Sequence, residues 1–163
     1  MVRLITPSLE LLDAALTGDD ALAKALGRPV VPGWVSFTAA LPPTRAALAE
    51  DPDEGRWGTR LFLAGDPEEL VGWGGFKGPP RDGTVELGYE IAPARQRRGL
   101  ATEAVRAMLD QAFAWPEVDA VIAHTLAEPN ASNRVLEKAG FVRDGEGEED
   151  GQPVWRFSLR REP

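Results

Sequence analysis

The chain has 163 residues, of which 26 are Asp or Glu and 18 are Lys or Arg, so its formal net charge at pH 7 is −8. This length fits a single domain over residues 1–163, and a hydrophobic content of 43% is enough to build a core. The negative charge repels phosphate backbones, so we expect no nucleic-acid partner. The absence of Cys excludes thiolate nucleophiles and disulfides. No stretch is apolar enough for a membrane, so we expect no membrane partner and a cytoplasmic protein.

The N-terminal third predicts one strand and several short helices. A strand over residues 2–6 precedes leucines at helical spacing, and Gly18 and Gly27 predict the ends of two helices. Pro42 and Pro43 favour the start of a third helix. This region carries no catalytic motif.

From Thr59 the pattern changes to strands joined by tight turns. The segments TRLFLAG, LVGWGGFKG and TVELGYEIAP are separated by turns at Asp66-Pro67 and Arg81-Asp82-Gly83. Apolar runs with turns of this kind predict an antiparallel meander.

A helix, a strand, a second helix and a hairpin complete the order. LATEAVRAMLDQAFAW has one apolar face at helical spacing, and VDAVIAHTL is a near-continuous apolar strand of the kind found inside a sheet. NASNRVLEKAGF predicts a short helix that ends at Gly140. We expect the acidic run over residues 144–150 to form a solvated hairpin tip. The whole order predicts an α/β or α+β fold on a mixed sheet.

Residues 91–102, IAPARQRRGLAT, predict an anion site. Three arginines follow the end of a strand, and Gly99 leads directly into the long helix. The first amides of a helix point at any anion placed there, and arginine adds charge and donors. The alternative is a solvated basic loop that happens to precede a helix. The P-loop motif is missing, and so is a Gly-rich Rossmann turn between a strand and a helix.

Two motifs resemble those of one enzyme family. Gln96-Arg97-Arg98-Gly99-Leu100-Ala101 is similar to the Q/R-x-x-G-x-G/A signature of the GCN5-related N-acetyltransferases (GNAT), and SNRVLEKAGF, from Ser132, is similar to their second motif. Together with Glu86-Leu87-Gly88-Tyr89, the resemblance is strongest to the ribosomal-protein N-terminal (Rim-type) acetyltransferase branch. It covers about residues 58–159, and two motifs in the right order are more specific than one.

The resemblance implies a mostly antiparallel mixed sheet with a splayed parallel strand pair and helices on both faces. It also implies acetyl-CoA as co-substrate, with the strand that carries Ile91 pairing with the pantetheine arm. Asn130 or Asn133 would contact the pantetheine, and either one alternatively only caps the helix. Asn130 lies two positions before Ser132, whereas in many relatives the Asn lies three positions before the Ser. The residues that would bind the cofactor are Ile91, Gln96, Arg97, Arg98, Gly99, Leu100, Ala101, Thr102, Asn130 and Asn133.

Direct acetyl transfer needs an oxyanion donor, an acid and a base. By analogy the oxyanion donor is a backbone N–H near Ile91. Many relatives place a tyrosine acid in the helix after the Asn, but this chain has none there, and its only tyrosine is Tyr89. We expect Ser132 to act as the acid instead, although its residue type equally suits a helix cap.

Strand alternation places Glu86 and Glu90 on one face, where either could take the proton from an amine. Glu90 is favoured because it lies nearer the splayed end, and salt bridges or attraction of a cation are the alternative roles. We assign no role to His124, the only histidine, and we expect no His and carboxylate cluster and therefore no metal.

The sequence therefore predicts an acetyl-CoA-dependent N-acetyltransferase that acts on a primary amine in a ternary complex, with a protein N-terminus as one candidate acceptor. The alternatives are a small-molecule acetyltransferase for a polyamine, an aminoglycoside or an amino acid, and a non-catalytic acyl-CoA-binding module. Homodimers are common in the family, but no interface can be read from this chain.

Overall fold

The computed structural model describes residues 1–36, 38–51 and 53–162, and for residues 54 and 55 it describes the backbone alone. The helices are α1 (Leu9–Thr17), α2 (Asp19–Leu26), α3 (Leu41–Glu50), α4 (Glu54–Trp57), α5 (Leu100–Ala114) and α6 (Ala131–Lys138). The strands are β1 (Val2–Ile5), β2 (Thr59–Ala64), β3 (Glu69–Phe76), β4 (Thr84–Ile91), β5 (Ala120–Leu126), β6 (Val142–Glu149) and β7 (Gln152–Arg160). No helix in the described part of the chain is long and apolar enough to cross a membrane.

The seven strands form one sheet in the order β1-β2-β3-β4-β5-β7-β6. Every adjacent pair is antiparallel except β4 with β5, which is parallel. The predicted meander of β2, β3 and β4 is therefore confirmed, and so is the mixed sheet. The long α5 crossover is what allows two parallel strands to lie side by side.

Helices cover both faces of the sheet, because the strands present apolar side chains on both sides. On one face α5 and α6 bury Val105, Met108 and Leu136 against Phe62 and Leu87. On the other face the region of α1 to α3 packs on Leu61, Leu63 and Leu70 of β2 and β3. This second helical layer stops short of β4 and β5, so the polar face of β4 stays open.

The ends of α6 follow local signals in the sequence. The Asn130 side chain caps the N-terminus by accepting a hydrogen bond from Asn133 N at 3.0 Å. At the C-terminus Gly140 has φ 102°, and Phe141 N donates back to Leu136 O at 3.0 Å. A glycine is favoured there because a Cβ is strained at positive φ.

The acidic run is a strand and not the expected hairpin tip. Residues 144–149 lie within β6, and the turn is only Asp150 and Gly151, with φ of 51° and 77°. Glycine and acids are poor strand formers, so the sequence argues against a strand. Pairing with β7 overrides that preference, and the exposed charges protect a free sheet edge from further pairing.

β4 and β5 form a fork. They pair only at Thr84 with Ala120, Val85 with Val121 and Glu86 with Ile122. Beyond Glu86, β4 continues beside β3 and β5 continues beside β7, so the two strands diverge. The predicted splayed pair is confirmed, and it leaves a backbone edge open on β4.

Candidate active site

The loop between β4 and α5 is folded back onto the end of β4. Gln96 Nε2 donates to Ile91 O at 3.0 Å. Arg97 and Gly99 have φ of 65° and 77°, and this pair of left-handed residues turns the chain into α5. Gly99 adopts this φ without strain, whereas Arg97 is an unusual residue for it.

The N-terminus of α5 opens directly from this loop. Its first helical hydrogen bond runs from Glu103 N to Gly99 O at 3.1 Å. The amides of Leu100, Ala101 and Thr102 therefore have no partner within the helix. Such amides, with the positive end of the helix dipole, form an anion site.

The three arginines of this loop have different environments. Arg95 forms a two-pronged ion pair with Glu69, at 2.8 and 3.0 Å, so it does not belong to the free basic cluster that the sequence predicts. The Arg95 hydrogen bonds and charge hold the pKa of Glu69 below its usual value. Arg97 and Arg98 are exposed and make no hydrogen bond or ion pair with any residue that the structure describes. These two remain available to an anion at α5.

The two asparagines at α6 have structural contacts. Asn130 Oδ1 caps the helix, and its amide nitrogen makes no hydrogen bond among the described residues. Asn133 is 5% exposed, and its Nδ2 donates to Glu128 O while its Oδ1 accepts from Thr125 Oγ1, both at 2.5 Å. Asn133 therefore ties α6 to β5, and Asn130 keeps a free donor.

Ser132 and Tyr89 meet between the fork and α6. Tyr89 Oη donates to Ser132 O at 3.3 Å, and burial raises the pKa of Tyr89 to about 12. The cap of α6 is Asn130, so the interpretation of Ser132 as the cap is wrong. The Ser132 hydroxyl makes no hydrogen bond with the described residues, which leaves it free to donate.

Glu90 joins the sheet to the segment before α3. Its Oε1 accepts from Ser36 N at 2.7 Å and from Trp73 Nε1 at 2.6 Å, while its Oε2 accepts from Ser36 Oγ at 2.6 Å. These three donors fix the position of the carboxylate. It lies on the face of β4 that the helices leave open.

Glu86 lies on the same face, at the base of the fork. Its Oε2 is 2.6 Å from Lys77 Nζ and 3.1 Å from His124 Nδ1. Burial raises the pKa of Glu86, but the Lys77 ammonium and the neighbouring His124 lower it by more, so Glu86 stays ionised.

The expectation that the chain has no His and carboxylate cluster is wrong. Ligand atoms of Glu86, His124 and Glu149 lie within 4.8 Å of one another. These residues lie on three different strands, β4, β5 and β6, so their spacing in the sequence does not reveal the cluster. Lys77 already supplies a cation to Glu86.

A cleft of about 420 Å³ opens over β4 between these groups. The backbone of Gly88 lines the bottom of the cleft and is not covered by other groups, because a Cβ there would come no closer than 4.0 Å to Lys77 Cε. Gly75, its cross-strand partner, is covered, since a Cβ there would overlap the Gly58 carbonyl. Glu90 stands on one side of Gly88 and Lys77 on the other. Sequence reasoning missed this cleft, although two glycines in facing strands are a signal for it.

Residues 5–142 match the family model described as an acetyltransferase (GNAT) domain. The chain belongs to the GNAT family. It is therefore an acetyl-CoA-dependent acyltransferase.

This GNAT protein has relatives with the same assignment. It is 29% identical over 144 residues to the uncharacterized N-acetyltransferase YjdG of Bacillus subtilis, an alignment that covers 86% of each chain. RimJ of Mycobacterium smegmatis, solved with CoA-disulfide, superposes with a TM-score of 0.70 at 20% identity, over 98% of this chain and 81% of RimJ.

Spermidine N-acetyltransferase of Vibrio cholerae, solved with CoA and spermine, also gives a TM-score of 0.70, at 15% identity over 98% of this chain and 95% of its own. Both structural likenesses show the GNAT fold. They do not separate a Rim-type enzyme from a polyamine enzyme, so the Rim-type branch stays a prediction.

Proposed function

We propose that this GNAT protein transfers the acetyl group of acetyl-CoA to a primary amine by direct attack within a ternary complex. The observation that supports this most strongly is the meeting of two openings at one strand. The fork exposes the edge of β4 on one side, and the carboxylate-bearing cleft exposes its polar face at Gly88. A thioester in the fork and an amine in the cleft would therefore approach the same part of β4.

The α5 end of the fork is where the pyrophosphate of acetyl-CoA would bind. The amides of Leu100, Ala101 and Thr102 would bind the phosphate oxygens, and the side chains of Arg97 and Arg98 would add positive charge. Gln96 supports this loop through its bond to Ile91.

The pantetheine arm would run down the open edge of β4. The stretch from Leu87 to Ile91 is roughly 16 Å long at the usual rise per residue, which suits an extended arm that hydrogen-bonds like an added strand. Asn130 is the asparagine with a free amide nitrogen, so we assign the pantetheine contact to it and a supporting role to Asn133. A backbone N–H near Ile91 is the proposed oxyanion donor.

Glu90 is the proposed base. It lines the cleft, whereas Glu86 sits at the base of the fork in contact with Lys77 and His124. The amine nitrogen attacks the thioester carbonyl, the C–S bond breaks, the amine proton passes to Glu90, and CoA leaves as its thiol after protonation. Glu86 remains ionised and attracts the cationic acceptor. The chain has no Cys to form an acetyl-thioester with the enzyme, which favours direct transfer.

Ser132 is the proposed acid for the departing thiolate. Its hydroxyl is free at the N-terminus of α6, beside the fork. Ser132→Ala should lower kcat about 100-fold, the usual size of an acid's contribution, whereas Tyr89→Phe should leave kcat near wild type. Steady-state kinetics of both variants measures this, and the assignment is wrong if the tyrosine variant alone loses activity.

A thiol-release assay with acetyl-CoA and a panel of amines and peptides tests the proposed function. Release that depends on the acceptor supports an amine acetyltransferase, and the best acceptor decides between a protein N-terminus and a small amine. Calorimetric binding of CoA without release for any acceptor would instead identify a non-catalytic acyl-CoA-binding module.

The proposal also covers the extent of the domain, the location of the protein and its oligomeric state. Residues 1–163 act as one acetyltransferase domain, since β7 lies beyond the family match yet pairs between β5 and β6. We also propose that the protein is cytoplasmic. A homodimer stays a prediction, which light scattering on a sizing column measures.

A further inference from the structure

A second cavity adjoins the cleft. Its volume is about 260 Å³, and it lies between the start of α1, one side of α3 and the edge of β2 and β3. Thr44, Gly58, Thr59 and Phe76 line both the cavity and the cleft, so the two spaces are adjacent and share part of their walls. A long occupant of the cleft would reach the cavity past these residues.

The two spaces differ in chemistry. The cleft carries the charged side chains of Glu90 and Lys77. Of the described residues that line the cavity, none is charged, and Pro7, Leu12 and Leu48 supply apolar surface. The Thr44 hydroxyl donates to Ala40 O at 2.8 Å, and the hydroxyls of Thr6 and Thr59 are the other side-chain polar groups among the described lining residues. The charged side chains thus lie in the cleft, and the adjacent cavity is uncharged and mostly apolar.

From this gradient we infer that the acceptor is a primary amine on an apolar chain, an inference that rests on the proposed function. The amine lies over Gly88 beside Glu90, where the carboxylate complements its positive charge. The chain fills the cavity between α1 and α3. A polyamine or another polycation fits poorly, because its second ammonium would enter a space without a carboxylate partner.

Acceptor length is the direct probe. Initial rates with saturating acetyl-CoA are measured for the linear amines from propylamine to heptylamine, and for spermidine. For each methylene that enters the cavity, kcat/KM should rise about fourfold, which corresponds to about 0.8 kcal/mol per buried CH₂. Spermidine should be a poorer acceptor than heptylamine.

Matched variants on α3 locate the effect. Ala47 is exposed and lines the cavity, whereas Ala49 is exposed on the same helix and does not. Ala47→Leu should reduce the preference for heptylamine over propylamine by at least about fourfold, which is the effect of one buried methylene. Ala49→Leu should keep the wild-type preference.

The outcomes separate this inference from the proposed function. Equal rates along the alkyl series, or a preference for spermidine, overturn the apolar acceptor while amine acetylation stands. Thiol release with none of the amines overturns the proposed function itself. If long amines are preferred and Ala47→Leu does not alter that preference, the alkyl chain of the acceptor binds elsewhere. That result overturns the assignment of the cavity.

Discussion

Glu90 combines a structural and a proposed chemical role, and one substitution can separate them. In Glu90→Gln the amide oxygen can still accept from Ser36 N and Trp73 Nε1, while the new amide N–H can donate to Ser36 Oγ. The fold of this region should therefore survive, and only the base is lost.

We expect Glu90→Gln to lower kcat about 100-fold, as the loss of a general base does, with CoA affinity within about twofold of wild type. Steady-state kinetics and calorimetry measure the two quantities. Ser36→Ala is the control, since it removes one hydrogen bond and keeps the carboxylate. Unchanged kcat in the glutamine variant would show that Glu90 is not the base.

Glu86 predicts a pH dependence of stability. Its pKa in the folded protein lies below its ordinary value of 4.5, so folding favours the ionised form. This contribution is complete above the unfolded pKa and is lost as the pH falls through the folded pKa. In Glu86→Gln it is absent at every pH.

The free energy of unfolding should therefore differ between wild type and Glu86→Gln near pH 7, and the difference should shrink as the pH falls below the ordinary pKa of 4.5. Urea unfolding at several pH values measures it. Glu148→Gln, on the exposed edge strand, is the control and should show no such pH-dependent difference. A difference that stays constant with pH would contradict the proposed ion pairing of Glu86.

At the scale of elements, the open face of β4 depends on Gly88. A side chain at position 88 would cause no steric clash at its Cβ, but it would project into the cleft. Gly88→Val should fold, keep CoA affinity, and lower kcat/KM for amines at least about tenfold, because a misplaced acceptor loses the benefit of orientation.

Gly147→Val is the matched control for Gly88→Val. Gly147 lies in β6, where a Cβ would make an ordinary contact of 3.7 Å with Val154. Thermal melts confirm folding of both variants before kinetics. If the two variants have equal activity, the acceptor does not bind over Gly88.

The N-terminus of α5 predicts different effects for its arginines. Arg98→Ala should weaken CoA binding about fivefold, the size of one charge at a helix terminus, and should make binding less sensitive to salt. Arg95→Ala should lower the melting temperature through the loss of its pair with Glu69, and should leave CoA affinity within about twofold. Calorimetry at two salt concentrations tests both, and equal losses of affinity would contradict the pairing of Arg95.

Elements whose signals are local could be predicted from the sequence. Gly18, Gly27 and Gly140 mark helix ends, and the segment from Gln96 to Ala101 leads into α5 as expected. β6 could not be predicted, because its strand conformation comes from pairing with β7 and not from its acidic residues. Local propensity is overridden where a neighbouring strand supplies the hydrogen bonds.

At the scale of the whole molecule, the contacts that sequence missed join distant segments. Arg95 and Glu69 are 26 positions apart, and Ser36 and Glu90 are 54 apart. His124 and Glu149 also lie far apart in the sequence, and the order of β5, β7 and β6 brings both close to Glu86. Residue types singled out Arg95, Glu86 and Glu90, but only the folded structure shows which partners they have.

The net charge of −8 also has a spatial arrangement. Acidic side chains of β6 line one sheet edge, while the exposed Arg97 and Arg98 stand at the N-terminus of α5. An anion such as acetyl-CoA is thus attracted to one local positive region of an otherwise acidic molecule.

Direct acetyl transfer is tested most directly by mass spectrometry of the reaction with acetyl-CoA and heptylamine, with thiol release followed in the same sample. We predict one acetylated amine for each CoA released and no change in the mass of the protein. Thiol release that leaves an acetylated protein, or CoA binding with no acetylated amine for any acceptor tried, would contradict the ternary mechanism.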